Sequence, residues 1–259
     1  MVTAFAALLD RPVRLLEGFG RYCLLLARAF NLPRDLRPAL YIRHLLDQMV
    51  RIGVSSLPIV ALATAFSGGV AAVQALYQLV DPLYPLTLMG TFTQQAVMLE
   101  LGTLVTAFVL TGRVGARIAA ELGTMRVTEQ IDALEAMGIN SRSYLIVPRV
   151  VAAVLMFPVL YLIASAVGLL AGAAVAADSE RLTTGVYWAG ARLFFRQYDI
   201  FFGVVKSLVF GFIITSVACY KGYYARGGAE GVGEATTEAT VVACVFILLA
   251  DYLCAALLL

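Results

Sequence analysis

Long runs without a charged residue alternate with short polar segments along the chain. Residues 52–80 make up 29 positions without a charge and residues 150–177 make up 28, whereas about 20 apolar residues are enough to cross a hydrocarbon core. Three further runs reach that length when each is allowed one ionisable residue. They are residues 86–110 around Glu100, residues 200–220 around Lys206 and residues 239–259 around Asp251. This pattern predicts five transmembrane helices.

Composition sets the class of protein. Of the 259 residues, 61% are apolar and 14% are charged, and the mean hydropathy is +0.87, whereas a soluble domain has about 25% charged residues. We therefore expect an all-α integral membrane protein with a single domain over residues 1–259. Residues 1–51 would be an interfacial helix and cytoplasmic lead-in, and residues 52–259 the five-span region. The net charge of +2 is too small to indicate a nucleic-acid partner.

Basic residues are distributed unevenly between the predicted loops. The N-terminal segment holds eight arginines, the loop after the second span holds five, and the loop after the fourth span holds Lys221 and Arg226. The opposite side holds three arginines. Because cytoplasmic loops carry an excess of Lys and Arg, this asymmetry predicts a cytoplasmic N-terminus. An odd number of spans then places the C-terminus outside.

The first 30 residues predict an amphipathic helix rather than a signal peptide. Four charged residues interrupt the apolar core that a signal peptide needs: Asp10, Arg11, Arg14 and Glu17. Arginines recur every seven residues on one face, which leaves five apolar residues available to lipid: Leu15, Phe19, Leu24, Leu26 and Phe30. Such a helix suits the cytoplasmic interface, where arginines meet anionic head groups. A solvated helix packed on a partner protein is the alternative.

The charge-dense segment between spans two and three predicts a short cytoplasmic helix. Thr128 can cap it, Glu129 and Asp132 lie in its first turn, and Gly138 can end it. At 100° per residue the helix has an apolar side and an acidic side, formed by Ile131, Leu134 and Met137 and by Glu129, Asp132 and Glu135, respectively. Helices that rest on membranes favour Lys and Arg on the polar face. The acidic side therefore predicts a protein partner.

No motif predicts catalysis, a metal site or a bound cofactor. The cysteines lack metal-ligand spacing, and His44 is the only histidine. The glycine cluster of residues 227–233 has no Lys-Ser/Thr ending of a phosphate-binding loop, so it predicts a flexible turn. We expect a chain that is not an enzyme and holds neither metal nor cofactor.

Four stretches of sequence resemble one family, the MlaE-type permeases, which are the membrane subunits of ABC transporters that work with MCE (mammalian cell entry) lipid-binding proteins. The most specific is GRVGARIAAELGTMRVTEQIDALEAMGI at residues 112–139. The others are LIVPRVVA at residues 145–152, ELG at residues 100–102 and GYYARGGAEGVGEATTEATV at residues 222–241. The chain departs from the family at Leu99 and Thr103, where an arginine and a proline usually flank ELG.

The resemblance implies a homodimer of five-span subunits in the inner membrane of a double-membraned bacterium. It would move phospholipid or a related lipid and so serve intermembrane lipid traffic and the lipid asymmetry of the outer membrane. The short helix would be a coupling helix seated in a partner ATPase dimer, which hydrolyses the ATP. A periplasmic ring of MCE proteins and a small STAS-domain regulator are the other implied partners. Gly168 and Gly172 form a small-xxx-small pair that can bring helices together.

The three ionisable residues inside predicted spans are candidate residues of the substrate path. An ionised side chain at mid-span costs about 2.5–3.5 kcal/mol on insertion scales, so these side chains should face one another, the dimer interior or a wet cavity. The predicted topology places Lys206 and Asp251 in the outer half, where they can pair. It leaves Glu100 at mid-depth or nearer the cytoplasm, as a lone charge on the lipid route. The alternative is that all three only hold helices together.

Two other functions remain open. An ion-coupled secondary transporter would use the same three charges as coupling groups, but such transporters usually show paired repeats, and the sequence shows none. A scaffolding membrane subunit without transport is the second. The acidic short helix favours the ATPase-driven permease, because only that function requires a surface on which an ATPase can dock.

Overall fold

Five long apolar helices form most of the molecule. The computed structural model describes residues 17–30, 38–79, 85–179 and 182–259, and over these ranges the chain is helical without a β-strand. We call the five helices spans one to five: Tyr41–Gln78, Leu88–Val127, Ser141–Asp178, Gln197–Tyr223 and Gly228–Leu258. Each is long and apolar enough to cross a membrane. The prediction of an all-α membrane protein with five spans is confirmed.

Spans one and two consist of several segments. Span one joins helix Pro38–Ile52 to helix Leu57–Gln78 through a 3₁₀ turn at Val54–Ser56. Span two contains two wider π-turns, at Val97–Leu101 and Thr111–Gly115. The α-helical segments around them are Leu88–Ala96, Gly102–Leu110 and Ala116–Val127. Extra residues at π-turns rotate the side chains that follow and often mark functional sites.

Within the described residues, three helices lie outside the spans. A helix over residues 17–30 and the short helix Gln130–Ala136 lie at one end of the molecule, and Thr184–Leu193 lies at the other. We call these the short-helix end and the far end. Spans one, three and five run towards the far end, and spans two and four run back.

The spans extend well beyond the charge-free runs. Span five begins at Gly228, so most of the glycine cluster is helical and the prediction of a flexible turn there is wrong. Gly227 and Gly228, with φ of +92° and +70°, make the reversal after span four. A Cβ at Gly231 would overlap the Arg226 carbonyl oxygen. Glycine at these positions therefore permits an abrupt helix start.

Span three is the centre of the molecule and packs against spans one and four. A Cβ at Gly68 of span one would overlap the backbone of Gly168, and a Cβ at Gly172 would lie 2.6 Å from the Tyr187 hydroxyl oxygen. The small-xxx-small pair of span three is therefore used for close packing within one chain. Span five is peripheral, with an outward face that includes Val241, Val245, Leu248, Leu249 and Tyr252.

The helix over residues 17–30 packs on the short-helix end through a narrow face. Leu25 and Ala29 are buried, the Tyr22 hydroxyl lies 2.7 Å from Ser216 Oγ, and Ser143 Oγ donates to the Ala29 carbonyl. Three residues predicted to meet lipid are exposed: Phe19, Leu24 and Phe30. Leu26, also predicted to meet lipid, is partly buried, and the predictions for Asp10, Arg11, Arg14 and Leu15 lie outside the described residues.

Candidate functional site

The three ionisable residues of the predicted spans form one cluster, which we call the charge triad. Lys206 Nζ lies 2.6 Å from Asp251 Oδ1 and 3.0 Å from Glu100 Oε2. The lysine side chain is fully buried, whereas the side chains of Asp251 and Glu100 are 17% and 44% exposed. The expected contact between Lys206 and Asp251 is present, and the triad carries one more negative than positive charge.

A π-turn in span two completes the environment of the lysine. Lys206 Nζ donates hydrogen bonds to the Leu99 carbonyl and to Glu100 Oε2, each at 3.0 Å, and its contact with Asp251 Oδ1 is an ion pair. The neighbouring Met98 carbonyl accepts from the Tyr161 hydroxyl at 3.0 Å. The Tyr161 ring has room here because Gly203 of span four has no side chain; a Cβ at that position would overlap the ring. Side chains thus satisfy backbone carbonyls at the wide turn, which is necessary in a medium without water.

The prediction that Glu100, at mid-depth or nearer the cytoplasm, is a lone charge is wrong, because its carboxylate lies 3.0 Å from Lys206 Nζ. Glu100 is 12 residues from the far end of span two, Lys206 is 9 from that of span four, and Asp251 is 7 from that of span five. At about 1.5 Å per residue these side chains lie within roughly 11–18 Å of the far ends. The sequence placed the end of span two at Leu110, before Arg113, but the helix continues to Val127.

The short helix Gln130–Ala136 has caps that differ in part from those predicted. Thr128 does not cap it, because its hydroxyl donates to the Thr124 carbonyl and closes the preceding helix. Glu129 takes the N-cap position in a left-handed conformation, with φ of +59°. Gly138 ends the helix, with φ of +77°, and the amides of Gly138 and Ile139 bond to the carbonyls of Glu135 and Leu134. This is the Schellman arrangement that favours glycine.

Two of the three acids of the short helix have partners within the chain. Asp132 Oδ1 lies 2.6 Å from Arg126 Nη1. Glu135 Oε1 accepts from Ser141 Oγ at 2.6 Å and from the Tyr223 hydroxyl at 3.1 Å. The Ser141 hydrogen bond lowers the pKa of Glu135, against a smaller opposing effect of burial and with help from Tyr223. Glu129 is exposed, so the acidic side is only partly free for another protein.

The apolar side of the short helix is also divided. Ile131 is fully buried and Leu134 packs against the core, whereas Met137 is 66% exposed. Met137 is not on a common buried face with the other two, because the helix ends at Ala136. The buried pair anchors the helix, and the side chains of Glu129 and Met137 protrude from its two ends.

Sequence reasoning missed a buried ion pair at the short-helix end. Arg149 is 2% exposed and lies inside span three, with Nη2 3.2 Å from Glu121 Oε1 of span two and Nη1 2.6 Å from the Leu145 carbonyl oxygen. The sequence placed Arg149 in a loop, because the charge-free run starts at Val150. Elsewhere within the described ranges, no group of three His, Cys, Asp or Glu side chains is arranged to hold a metal ion.

The sequence profile of one family covers most of this architecture. The family is described as Permease MlaE, and its profile matches residues 45–257, which include all three triad residues, the short helix and the Arg149 pair. The chain belongs to the MlaE permease family. The family predicted from the motifs is thereby confirmed, although Leu99 and Thr103 replace the residues usual beside ELG. Leu99 contributes its backbone carbonyl to the triad, a role that does not depend on its side chain.

Relatives of the MlaE family span nearly the whole chain. A probable ABC transporter permease protein of Rickettsia bellii is 38% identical over 94% of this chain and 93% of its own length. The intermembrane phospholipid transport system permease protein MlaE of Haemophilus influenzae is 33% identical over 83% and 82%. The chloroplastic protein TRIGALACTOSYLDIACYLGLYCEROL 1 of Arabidopsis thaliana is 35% identical over 85% of this chain and 62% of its own length.

Proposed function

We propose that this MlaE-family chain is the permease subunit of an ATP-driven transporter that moves phospholipid or a related lipid. The observation that carries the proposal is the match over 83% of the chain to a relative named for intermembrane phospholipid transport. The proposed setting is the inner membrane of a bacterium, with two copies of the chain, an ATPase dimer and a ring of MCE proteins. A small STAS-domain protein is the proposed regulator.

Glu100 is the proposed point of contact between the permease and the lipid head group. Lys206 has no exposed surface and Asp251 little, so a passing head group can reach neither easily. The Glu100 carboxylate is nearly half exposed, and the triad carries an excess negative charge. Such a group can accept hydrogen bonds from an ammonium or hydroxyl of a head group at a depth where water is scarce.

The short helix is the proposed coupling helix that receives movement of the ATPase. Its Glu135 carboxylate is bonded to Ser141, at the start of span three, and to Tyr223, at the end of span four. Force on this helix therefore reaches two spans directly. Span four also carries Lys206, so its displacement would change the distances from the lysine to Glu100 and Asp251. This is a physical path from ATP hydrolysis to the charge triad.

The proposal is tested by replacing Glu100 in the assembled transporter. Glu100→Gln keeps the side-chain shape and should leave the complex assembled, but lower lipid transport between vesicles and the acceptor protein. Glu230→Gln is the matched control, because Glu230 is exposed in the first turn of span five, far from the triad. Equal transport by wild type and Glu100→Gln would refute the role of Glu100. If wild type, Glu100→Gln and Glu230→Gln all fail to transport lipid, the proposed function itself is refuted.

Ion-coupled transport is the second candidate, favoured by the excess carboxylate of the triad. Two carboxylates that share one lysine can bind a proton when the lysine moves away. The two functions differ in their energy source. Lipid movement that persists with an ATPase-inactive partner and stops when the proton gradient is collapsed would favour the ion-coupled transporter.

A further inference from the structure

Two adjoining cavities lie at the short-helix end, remote from the charge triad. The first has a volume of about 410 Å³ and lies between the helix over residues 17–30, span four and span five. The second has a volume of about 320 Å³ and lies between the end of span four and the start of span five. Both are lined by Tyr220 and Lys221. We call them the apolar chamber and the polar vestibule.

The apolar chamber is suited to a hydrocarbon chain. Its walls are side chains of three helices and are mainly apolar: Phe19, Tyr22, Ile213, Val217, Val242 and Phe246. Ile213 lies 10 residues before the end of span four, so the chamber reaches about 15 Å in from that end. Its volume falls within the range of roughly 300–1,000 Å³ typical of ligand pockets.

The polar vestibule has a balanced set of charges. Its lining includes two basic side chains, Lys221 and Arg226, and two acidic side chains, Glu234 and Glu238. Lys221 Nζ lies 2.6 Å from Glu238 Oε2, and the lining as a whole carries no net charge. A site of this kind complements a ligand that has a negative and a positive group close together.

The two cavities together match the chemistry of a zwitterionic phospholipid. An acyl chain needs an apolar space within the bilayer, and a phosphate joined to an ammonium needs basic and acidic partners at its surface. We propose that the chamber and vestibule form a docking site for one zwitterionic phospholipid. Its acyl chain would lie in the chamber, and its head group in the vestibule between Arg226 and Glu234.

This docking site rests on the proposed function and adds a second lipid position to it. Lys221 follows Lys206 by 15 residues on span four, which corresponds to about 22 Å along the helix. The docking site and the charge triad therefore lie towards opposite ends of the same span. A lipid of the leaflet at the short-helix end would enter between the helix over residues 17–30 and span five, beside the proposed coupling helix.

The experiment identifies the occupant of the chamber by photo-crosslinking. The full chain is purified in detergent with benzoylphenylalanine at Phe246, which lines the chamber, or at Leu249 as the matched control, which lies on the same span but outside the chamber. After delipidation, equal amounts of phosphatidylethanolamine and phosphatidylglycerol are added, and the adducts are identified by intact mass. At Phe246 we expect several-fold more phosphatidylethanolamine adduct than phosphatidylglycerol adduct, and no such preference at Leu249.

A charge substitution tests the vestibule separately. Glu234→Lys makes the lining doubly positive and should shift the adduct at Phe246 towards anionic phosphatidylglycerol. Glu230→Lys, an equal charge change on the same helix outside the vestibule, should keep the preference for phosphatidylethanolamine. Excess phosphoethanolamine should leave the adduct in place, because it has no acyl chain.

Four results would overturn the docking site. The first two are equal labelling at Phe246 and Leu249, and a head-group preference in Glu234→Lys that equals that of wild type. The third is an adduct with a second copy of the chain. The fourth is disappearance of the lipid adduct when phosphoethanolamine is added, which would indicate a site for soluble phosphates. Transport assays separate this inference from the proposed function. If Glu100→Gln lowers lipid transport while Phe246 shows no selective adduct, the proposed function stands and the docking site falls.

Discussion

Lys206 Nζ lies 2.6 Å from Asp251 Oδ1, and the lysine side chain has no exposed surface. The ammonium group also donates hydrogen bonds to Glu100 and to the Leu99 carbonyl. Spans two, four and five therefore meet at one buried charge. The triad contributes to the assembly of these spans as well as to any role on the lipid route.

Lys206→Ala should lower the stability of the protein markedly. It leaves two carboxylates without their cation, and breaking a buried ion pair by removing one partner costs about 3–5 kcal/mol. Folded yield and thermal stability in detergent, followed by size-exclusion chromatography, measure the effect. Adding Asp251→Asn should restore part of the loss, and adding Glu100→Gln as well should restore more.

The control for this prediction is Lys221→Ala. Lys221 and Glu238 form an ion pair of the same length, 2.6 Å, but their side chains are 27% and 50% exposed. Exposed pairs contribute about 0–1 kcal/mol, so stability should change little. If Lys206→Ala is no less stable than this control, the triad does not hold the spans together.

Gly68→Ala should destabilise the contact between spans one and three, whereas Gly69→Ala should be tolerated. A Cβ at Gly68 would overlap the backbone of Gly168, which cannot move without displacing span three. At Gly69 the nearest heavy atom would be Val175 Cγ2 at 3.8 Å, an ordinary van der Waals distance. Overpacking costs about 1–3 kcal/mol. Melting temperatures of the two variants measure the difference, and equal values would contradict the close packing of these spans.

The hydrogen bonds of Glu135 should persist to unusually low pH. The Ser141 hydroxyl lowers the pKa of Glu135 in the folded protein. The stabilising contribution is therefore complete above the ordinary glutamate pKa of about 4.3, and it is lost as the pH falls through the lower folded value. A ¹³C carboxyl titration of labelled glutamate measures the shift. In Ser141→Ala the pKa of Glu135 should rise towards its ordinary value; an unchanged titration would exclude Ser141 as the cause.

The predicted orientation can be tested at two exposed positions. The excess of basic residues in the predicted loops of one side, fifteen against three, predicts that the short-helix end is cytoplasmic. A reporter inserted after Gly138 should therefore be cytoplasmic, and one fused to Leu259 should be periplasmic. Both positions are at the ends of helices, so insertion leaves the spans intact. The same compartment for both reporters would contradict an odd number of spans.

The contact between Lys206 and Asp251 could be predicted because each is the single charge in its predicted apolar run, residues 200–220 and 239–259, at a similar distance from the same surface. The contact of Glu100 with the same lysine could not be predicted. Its depth depends on where span two ends, and exposed arginines such as Arg113 and Arg117 lie within the helix without ending it. Charge-free runs locate the apolar core of a span, but the helix continues into the interface, where long cationic side chains reach water.

The same limitation explains Arg149 and Thr128. The sequence places Arg149 in a loop because the charge-free run starts at Val150, whereas in the structure the Glu121 carboxylate of another span and the Leu145 carbonyl stabilise its buried position. Thr128 has the side chain of an N-cap, but its hydroxyl bonds backwards to Thr124. Both outcomes depend on a partner that sequence periodicity does not specify. Gly138 was predicted correctly because its left-handed conformation depends on its own backbone.

The composition of the charge triad has a consequence for the synthesis of the protein. The ribosome completes span four, with its lysine, before Asp251 of span five exists, so the final partner is absent when Lys206 enters the bilayer. Glu100 of span two has been made by then and lies 3.0 Å from the lysine in the finished fold. The Glu100 carboxylate can pair with the lysine while span four inserts, and the Asp251 carboxylate can complete the cluster once span five has inserted. The order of residues along the chain thus matches the order in which a membrane protein needs its charges neutralised.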